Sequence, residues 1–158
     1  MTDAIDIILT VNGRTHRLNV PPRRMLADLL RDELQLAGCK IGCDQAVCGA
    51  CTVLVEGMPV TACTSFAFEF DGKAVTTTEG LAAGGVLDPV QQAFLEHGAF
   101  QCGFCTPGMI LSVKALLARH PEPDEMLIRQ WLDANICRCT GYQMIIDAVR
   151  AAAKAGAR

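Results

Sequence analysis

Cysteine is the residue type in this sequence best suited to bind a metal or to carry redox chemistry. The chain has nine cysteines among 158 residues, and eight of them fall into two sets of four that differ in spacing. The count is odd and the start of the sequence has no signal-peptide pattern, so a disulfide framework is disfavoured. In a reducing compartment, cysteines clustered at short intervals more often hold a metal. We therefore take the spacing within each set as evidence for the kind of metal.

The first set has the spacing C-x4-C-x2-C-x11-C. Its first intervals are typical of a [2Fe–2S] site, where four thiolates converge on two irons and backbone N–H groups offset the charge of the bridging sulfides. Gly42 and Gly49 allow the loop backbone to approach such a cluster closely. Structural zinc is the alternative, although zinc sites usually present two tight cysteine pairs. We predict a [2Fe–2S] cluster on this set, which comprises Cys43, Cys48, Cys51 and Cys63.

The second set consists of two tight pairs with 31 residues between them: Cys102, Cys105, Cys137 and Cys139. Each pair lies just before a predicted helix, with Thr106 and Thr140 as candidate N-caps. Two helix starts that face each other would direct unpaired N–H groups and positive dipole ends at an anionic cluster. A second [2Fe–2S] cluster is therefore predicted here, and zinc held by a CxxC and a CxC pair stays open on spacing alone.

Composition excludes several classes of function. The formal net charge is −3 and the hydrophobic share is 51%, with charges of both signs mixed along the chain. This balance gives no nucleic-acid footprint and no polybasic membrane anchor. No apolar run is long enough for a membrane span, so we expect a cytoplasmic protein. The three histidines are scattered and no GxGxxG, P-loop or GxSxG motif occurs, so we expect no catalytic residue and no nucleotide site on this chain.

The first half of the chain combines strands with one helix. Asn12-Gly13 lies between two strand-like segments and predicts a tight hairpin turn, and two further short strands are predicted around Glu56-Gly57. A helical pattern covers residues 25–36, with Gly38 as its predicted C-terminal cap. Apolar alternation and turn signals predict strands at residues 5–11, 16–20, 52–55, 58–60 and 73–77. Together these elements predict a small α+β unit.

The second half is predicted to be helical throughout. A glycine-rich segment at residues 78–88 is typical of a linker, and strand patterns stop beyond it. Capping signals and apolar periodicity predict four helices: from Asp88-Pro89 to Gly98, from Thr106 to His120, from Asp124 to Asn135, and from a Thr140–Gln143 capping box onward. We accordingly predict one domain at residues 1–78, a linker at 79–87 and a second domain at 88–158.

Three strings carry a resemblance to a known family: GCDQAVCGACTVLVEG, QCGFCTPGMI and NICRCTGYQMII. Together, and in this order, they closely resemble the iron–sulfur subunit of the xanthine oxidase family of molybdenum hydroxylases. The resemblance covers nearly the whole chain. It implies an α+β fold, with an N-terminal plant-type ferredoxin-like (β-grasp) domain and an all-α four-helix-bundle domain. It also implies one [2Fe–2S] cluster in each domain, on the two cysteine sets given above.

The resemblance further implies partner subunits. A large subunit would hold molybdopterin, expected as the cytosine dinucleotide, and a medium subunit would hold FAD. Gln101 and Cys139 should then lie next to the pterin, so that the second cluster is the one nearer the molybdenum. Such a chain would conduct electrons between its partners, and the identity of the substrate would be decided elsewhere.

The sequence departs from the family pattern at two places. Ala46-Val47 stands where the family often has a glycine-rich pair, so the path of the loop is expected to differ slightly. Cys39 stands where related chains commonly have threonine. We predict that Cys39 is a buried, unligated thiol, with a role as an alternative ligand as the other possibility.

Three hypotheses of function follow from these patterns. The first is an electron-transfer subunit with two [2Fe–2S] centres in series inside a heteromeric molybdenum hydroxylase. The second is a free two-cluster ferredoxin that carries electrons without permanent partners. The third is an interaction module stabilised by zinc. Iron content, visible absorbance and the size of the native species distinguish the three.

Overall fold

The N-terminal half of the chain is built on a mixed five-stranded sheet. The computed structural model describes residues 4–156, so residues 1–3 and 157–158 of the predicted domain ranges lie outside the described residues. The strand order is β2-β1-β5-β3-β4, in which only the β1–β5 pair is parallel. The strands are β1 (Ile5–Val11), β2 (Arg14–Val20), β3 (Thr52–Val55), β4 (Met58–Thr61) and β5 (Ala74–Thr76).

Tight hairpin turns form at the predicted Asn12-Gly13 pair and also at Glu56-Gly57. Asn12 and Gly13, at φ 50° and 78°, connect β1 to β2, and Glu56 and Gly57, at φ 49° and 78°, connect β3 to β4. Positive φ at both central residues matches the right-handed twist of the flanking strands, which is why the Asn-Gly pair predicts this turn. Every predicted strand is found, with bounds that differ by a few residues at most.

The first helix is shorter than predicted. It consists of α1 (Leu26–Asp28), which widens directly into a π-helical turn at Leu29–Glu33. Gln35, at φ 58°, takes the left-handed conformation after this turn, so the prediction of Gly38 as the cap was wrong. The Gly38 amide instead donates a 2.6 Å hydrogen bond to the carboxylate of Glu79. A Cβ on Gly38 would lie 2.7 Å from that carboxylate, so a larger residue would displace the Glu79 side chain.

Four helices form the second half, in the predicted order: α2 (Pro89–Glu96), α3 (Thr106–Arg119), α4 (Glu125–Leu132) and α5 (Gln143–Lys154). Asp88 caps α2 and Asp124 caps α4, each through its carboxylate, which accepts a backbone N–H of the first turn. The helix α4 ends at Leu132, three residues earlier than predicted. None of the helices between residues 4 and 156 is both long enough and apolar enough to cross a membrane.

Two predicted N-caps, at Thr106 and Thr140, were wrong. Cys105 is the N-cap of α3, and the buried Thr106 hydroxyl has no hydrogen-bond partner among the described residues. Tyr142 precedes α5 at φ 70°, and Thr140 makes no cap bond to that helix. The Thr140 hydroxyl instead accepts the Tyr142 amide at 3.2 Å and contacts the Cys137 sulfur at 3.1 Å. The expected capping box therefore does not form, because the hydroxyl has other partners.

Two separate groups of buried side chains form the interior. One lies between the sheet and α1, and the other lies among the four helices. A small third cluster of Leu54, Leu111 and Ala115 joins β3 to α3. Glycine brings the two halves into close contact, since a Cβ on Gly108 of α3 would stand 2.4 Å from the carbonyl oxygen of Gly49. The predicted boundaries at residues 78 and 88 stay predictions.

Candidate metal centres

The four thiols of the first cysteine set lie together beside the sheet. Cys43, Cys48 and Cys51 belong to the loop before β3, and Cys63 belongs to a 3-10 turn, Ala62–Thr64, directly after β4. The thiols of Cys43 and Cys48 are within hydrogen-bonding contact of each other, and so are those of Cys51 and Cys63. Cys48 also lies close enough to Cys51 to interact with it electrostatically, so the two pairs are neighbours.

The loop backbone directs a group of amides at one of these sulfurs. The N–H groups of Gln45, Val47 and Cys48 donate to Cys43 Sγ over 3.4, 3.3 and 3.3 Å. Led by the Cys48 amide, these bonds lower the pKa of Cys43 from 9.0 to about 6. The left-handed residues Asp44 and Ala46, at φ 56° and 55°, bend the backbone into this concave form. Such a nest of N–H groups is a general way to bind an anion.

The other side of the first set is buried. Cys51 and Cys63 are 1% and 3% exposed, and burial raises the pKa of Cys51 to about 12. Near neutral pH such a thiol stays protonated unless a cation binds to it. The loop backbone also leaves little space, because a Cβ on Gly42 would stand 3.0 Å from Cys48 Sγ. In the first set, backbone amides therefore stabilise the thiolate of Cys43, while the thiols of Cys51 and Cys63 are shielded from solvent.

The second set is also arranged as two pairs of sulfurs. The Sγ atoms of Cys102 and Cys139 lie 3.6 Å apart and both residues are exposed. Cys105 and Cys137 form the second, more buried pair, and Cys105 interacts electrostatically with Cys102. Only α3 begins at its cysteine pair, since Cys105 is its N-cap and α5 starts several residues after Cys139. The prediction of two helix starts directed at this set is therefore only half correct.

Burial and hydrogen bonds act differently on the inner pair of the second set. Burial raises the pKa of Cys105 to about 12. Burial also opposes ionisation of Cys137, but hydrogen bonds from the Thr140 side chain and backbone and from the Cys139 backbone lower its pKa overall. The Thr140 hydroxyl, 3.1 Å from the sulfur, is thus a partner of the thiol.

Two residues that sequence reasoning missed hold the loop around Cys137. The Tyr142 hydroxyl accepts the Cys137 amide at 2.8 Å and donates to the Asn135 carbonyl at 3.0 Å. The buried side-chain amide of Asn135 donates to the Gly49 carbonyl at 3.0 Å. No local pattern signals these contacts, because they join residues across turns and across the two halves of the chain.

A backbone hydrogen bond links the two cysteine sets directly. The amide of Ile136, next to Cys137, donates to the carbonyl of Cys48 at 2.9 Å. The two sets are therefore joined by one hydrogen bond and the few covalent bonds that connect these backbone groups to the cysteine sulfurs.

The remaining predicted site residues differ in exposure. Gln101 and Cys139 are exposed, as contact with a partner subunit requires, and their contact with a pterin stays a prediction. Cys39 is 2% exposed, and its thiol donates to the Cys51 carbonyl at 3.5 Å. Burial raises the pKa of Cys39 to about 12. The prediction that Cys39 is a buried thiol is confirmed.

The chemistry of both donor sets fits a [2Fe–2S] cluster. Each set offers four sulfurs as two neighbouring pairs, and such a cluster is held by four thiolates on two irons. Within residues 4–156 no three His, Cys, Asp or Glu side chains come together as ligands of a single ion. The amides that donate to Cys43 would stabilise an anionic cluster. The absence of a Cβ at Gly42 lets the loop backbone pass close to it.

Two family models match the chain, one after the other. Residues 9–82 match a 2Fe-2S iron-sulfur cluster binding domain, and residues 77–150 match a [2Fe-2S] binding domain. The nicotine 6-hydroxylase small subunit of Paenarthrobacter nicotinovorans is 45% identical over 148 residues, which are 94% of this chain and 89% of that protein. The xanthine dehydrogenase iron-sulfur-binding subunit of Escherichia coli O157:H7 is 45% identical over 150 residues, 94% of each chain.

The chain belongs to the iron–sulfur subunits of the xanthine oxidase family of molybdenum hydroxylases. The fold agrees with this membership. A chain of quinoline 2-oxidoreductase from Pseudomonas putida 86 superposes with a TM-score of 0.94 at 43% identity, covering 98% of this chain and 96% of that one. As a member of this family, the chain is an oxidoreductase subunit with two [2Fe–2S]-binding domains, and its relatives are small subunits of larger complexes.

Proposed function

We propose that this chain is the electron-transfer subunit of a heteromeric molybdenum hydroxylase, acting between a molybdopterin centre on a large subunit and FAD on a medium subunit or another acceptor. Each [2Fe–2S] cluster supplies a one-electron redox centre when bound. The residues that would hold the first cluster are Cys43, Cys48, Cys51 and Cys63, and those that would hold the second are Cys102, Cys105, Cys137 and Cys139. Molybdopterin cytosine dinucleotide and FAD would both reside on partner chains.

The observation that carries this proposal is the link between the two cysteine sets. Electron tunnelling falls steeply with distance, so a relay needs its centres close together and well connected. The 2.9 Å hydrogen bond from the Ile136 amide to the Cys48 carbonyl joins a neighbour of one set to a member of the other. The contact of Gly108 with Gly49 and the Asn135–Gly49 hydrogen bond keep this region tightly packed. Two sites held at a fixed, short separation suit the transfer of electrons from one to the other.

The exposed side of the second set suits a partner that holds the pterin. Cys102, Cys139 and Gln101 are all exposed there. Large apolar side chains that neighbour these cysteines in sequence are exposed as well, namely Phe100, Phe104, Ile136 and Met144 at 39%, 46%, 49% and 38%. Apolar surface of this kind marks protein interfaces. We therefore assign this surface to the large subunit and the second site to the position nearer the molybdenum.

The Cys43 loop suits the exit of electrons. Asp44, Gln45 and Ala46 are exposed, and Val47 is 59% exposed, so the first set comes to the surface through Cys43. A flavin-bearing partner or another acceptor could approach that edge. The substrate of the complex would be set by the pocket of the large subunit.

The proposal is tested by metal analysis and EPR spectroscopy of the chain purified with its partners. We expect four irons and four acid-labile sulfides per chain, with two distinguishable [2Fe–2S] signals on reduction. Cys51→Ser should remove one signal and Cys105→Ser the other. Cys39→Ser is the matched control, because it removes a buried thiol outside both sets, and it should retain both signals.

Three results would contradict the proposal. A colourless chain with stoichiometric zinc would favour a zinc-stabilised module, because Zn²⁺ has no absorbance between about 400 and 600 nm. Loss of a cluster signal in Cys39→Ser but not in Cys51→Ser would overturn the ligand assignment. A stable native species of 16.9 kDa that carries both clusters and binds no partner would favour a free two-cluster ferredoxin.

A further inference from the structure

Tyr142 has a backbone conformation that bulky side chains seldom adopt. Its φ is 70°, in the left-handed region, at the residue that precedes α5. Glycine adopts this conformation readily, whereas Cβ-bearing residues are strained there. Strain of this kind persists only where the surroundings impose it, and it is concentrated at functional sites. The side chain therefore has to provide something that glycine at this position would not.

What the side chain provides is a hydroxyl between two main-chain groups of one loop. The oxygen accepts the Cys137 amide at 2.8 Å and donates to the Asn135 carbonyl at 3.0 Å. This satisfies both backbone groups of a loop that does not belong to a helix or strand. Because the Cys137 amide is bonded to the hydroxyl, it is not free to donate to a sulfur of the second site.

We propose that Tyr142 is a positioning residue that lowers the reduction potential of the second cluster by holding the Cys137 amide. This inference rests on the proposed role of Cys137 as a ligand. N–H groups that donate to the sulfurs of a cluster stabilise the more negative, reduced state, and thereby raise its potential. An amide held by a neutral hydroxyl withholds that stabilisation. The hydroxyl oxygen also brings partial negative charge close to the site, which acts in the same direction.

The effect should be confined to the second cluster. Both partners of the hydroxyl, at Asn135 and Cys137, lie in the loop of the second set. The bonds that connect this region to the first set use other groups, namely the Asn135 side chain and the Ile136 amide. Removing the hydroxyl alone leaves those groups unchanged.

The test is Tyr142→Phe, which removes only the hydroxyl and keeps the ring, in the complete complex. EPR-monitored redox titration should show the midpoint potential of the second cluster moving to a more positive value, with that of the first unchanged. The two signals are assigned through Cys105→Ser. Pulsed EPR should also show a larger coupling to an exchangeable proton at the second cluster, because the freed amide turns towards a sulfur. Gln143→Ala is the matched control: it loses a 3.1 Å bond to Asp147 in the same helix start and should move neither potential.

An unchanged potential and proton coupling in Tyr142→Phe would overturn the proposal, and so would equal shifts of both clusters or the same shift in Gln143→Ala. If Tyr142→Phe binds two irons and Gln143→Ala binds four, the hydroxyl is needed to form the second site rather than to set its potential, and the proposal fails. If both variants lose iron, the effect belongs to the start of α5 and the proposal fails. A wild-type chain without iron would overturn the proposed function itself, a result distinct from all of these.

Discussion

Gly108, in the first turn of α3, lies directly against the backbone of Gly49. A methyl group on Gly108 would stand 2.4 Å from the Gly49 carbonyl oxygen and 3.2 Å from that of Ala50. Gly49 lies between two members of the first cysteine set, and Gly108 lies three residues after Cys105 of the second. This glycine contact therefore sets how closely the two sites approach.

Replacement of Gly108 by alanine should separate the two loops. Overpacking of this kind costs about 1–3 kcal/mol, because the facing atoms are backbone and cannot rotate away. We expect Gly108→Ala to lower the free energy of unfolding and to weaken the magnetic interaction between the two clusters in the EPR spectrum. Ala118→Gly, at an exposed position in the last turn of the same helix, should cost at most about 1 kcal/mol and leave the spectrum unchanged. A Gly108→Ala chain with wild-type stability would contradict the tight contact.

Asn135 should contribute to stability through its side-chain amide. The amide is buried and donates to the Gly49 carbonyl at 3.0 Å and to the Thr52 hydroxyl at 3.4 Å. We expect Asn135→Ala to cost about 1–3 kcal/mol, measured by urea unfolding of the holo-chain. Asn135→Asp should cost more, about 3–5 kcal/mol, because it buries a carboxylate against a carbonyl oxygen. Wild-type stability of Asn135→Ala would show that the amide donor has no role.

Ala46 departs from the glycine-rich pattern of the family, and replacing it with glycine should stabilise the loop of the first cysteine set. Ala46 has φ 55°, a conformation that disfavours a Cβ by about 1–2 kcal/mol. Ala46→Gly removes that strain and adds freedom to the unfolded chain, so a net gain of about 0.5–1 kcal/mol is expected. Ala46→Val should do the opposite, because a β-branched side chain is poorly tolerated at positive φ. The rate at which a chelator removes iron from the first site should follow the order Val, Ala, Gly from fastest to slowest.

Cys43 should be the most acidic cysteine of the first set when iron is removed. Three backbone amides hold its pKa at about 6, below the ordinary value of 9.0. Because the folded-state pKa is lowered, the thiolate stabilises the loop above pH 9, and this contribution declines as the pH falls towards 6. Labelling by iodoacetamide should therefore reach its full rate at Cys43 near pH 7, while Cys51, with a pKa of about 12, stays unlabelled. Mass spectrometry across pH 5–9, with circular dichroism to confirm folding, checks both residues. Similar rates at Cys43 in folded and urea-unfolded chains would rule out the amide effect.

Much of the fold could be predicted because the signals were local. Asn12-Gly13 predicts a turn with positive φ at both central residues, and that turn forms. Asp88 forms the cap that its pairing with Pro89 predicts, through Oδ1, while its Oδ2 makes an ion pair with Lys114 at 2.6 Å. The first helix could not be bounded in the same way, since its final turn widens into a π-helix and Gln35 takes the cap conformation that glycine usually supplies.

Local sequence patterns predict the grouping of the cysteines but not the contacts that surround them. Spacing grouped the cysteines into two sets, and the thiols of each set lie in contact as pairs. Their roles as ligands stay predictions. Thr140 has the pattern of a helix cap, but the Cys137 sulfur and the Tyr142 amide use its hydroxyl. The contributions of Tyr142 and Asn135 depend on contacts that only the folded chain creates.

Cys102 and Cys139 are the exposed cysteines of the chain, and their sulfurs are neighbours at 3.6 Å. In a cell that makes this protein, oxidation of these two thiols competes with delivery of metal to the second site. A freshly translated copy left in air presents two adjacent thiols that an oxidant can couple, which would shut the second site before it is filled. Under the proposed function, metal delivery precedes this oxidation, and the large subunit assigned to this surface then covers the exposed pair.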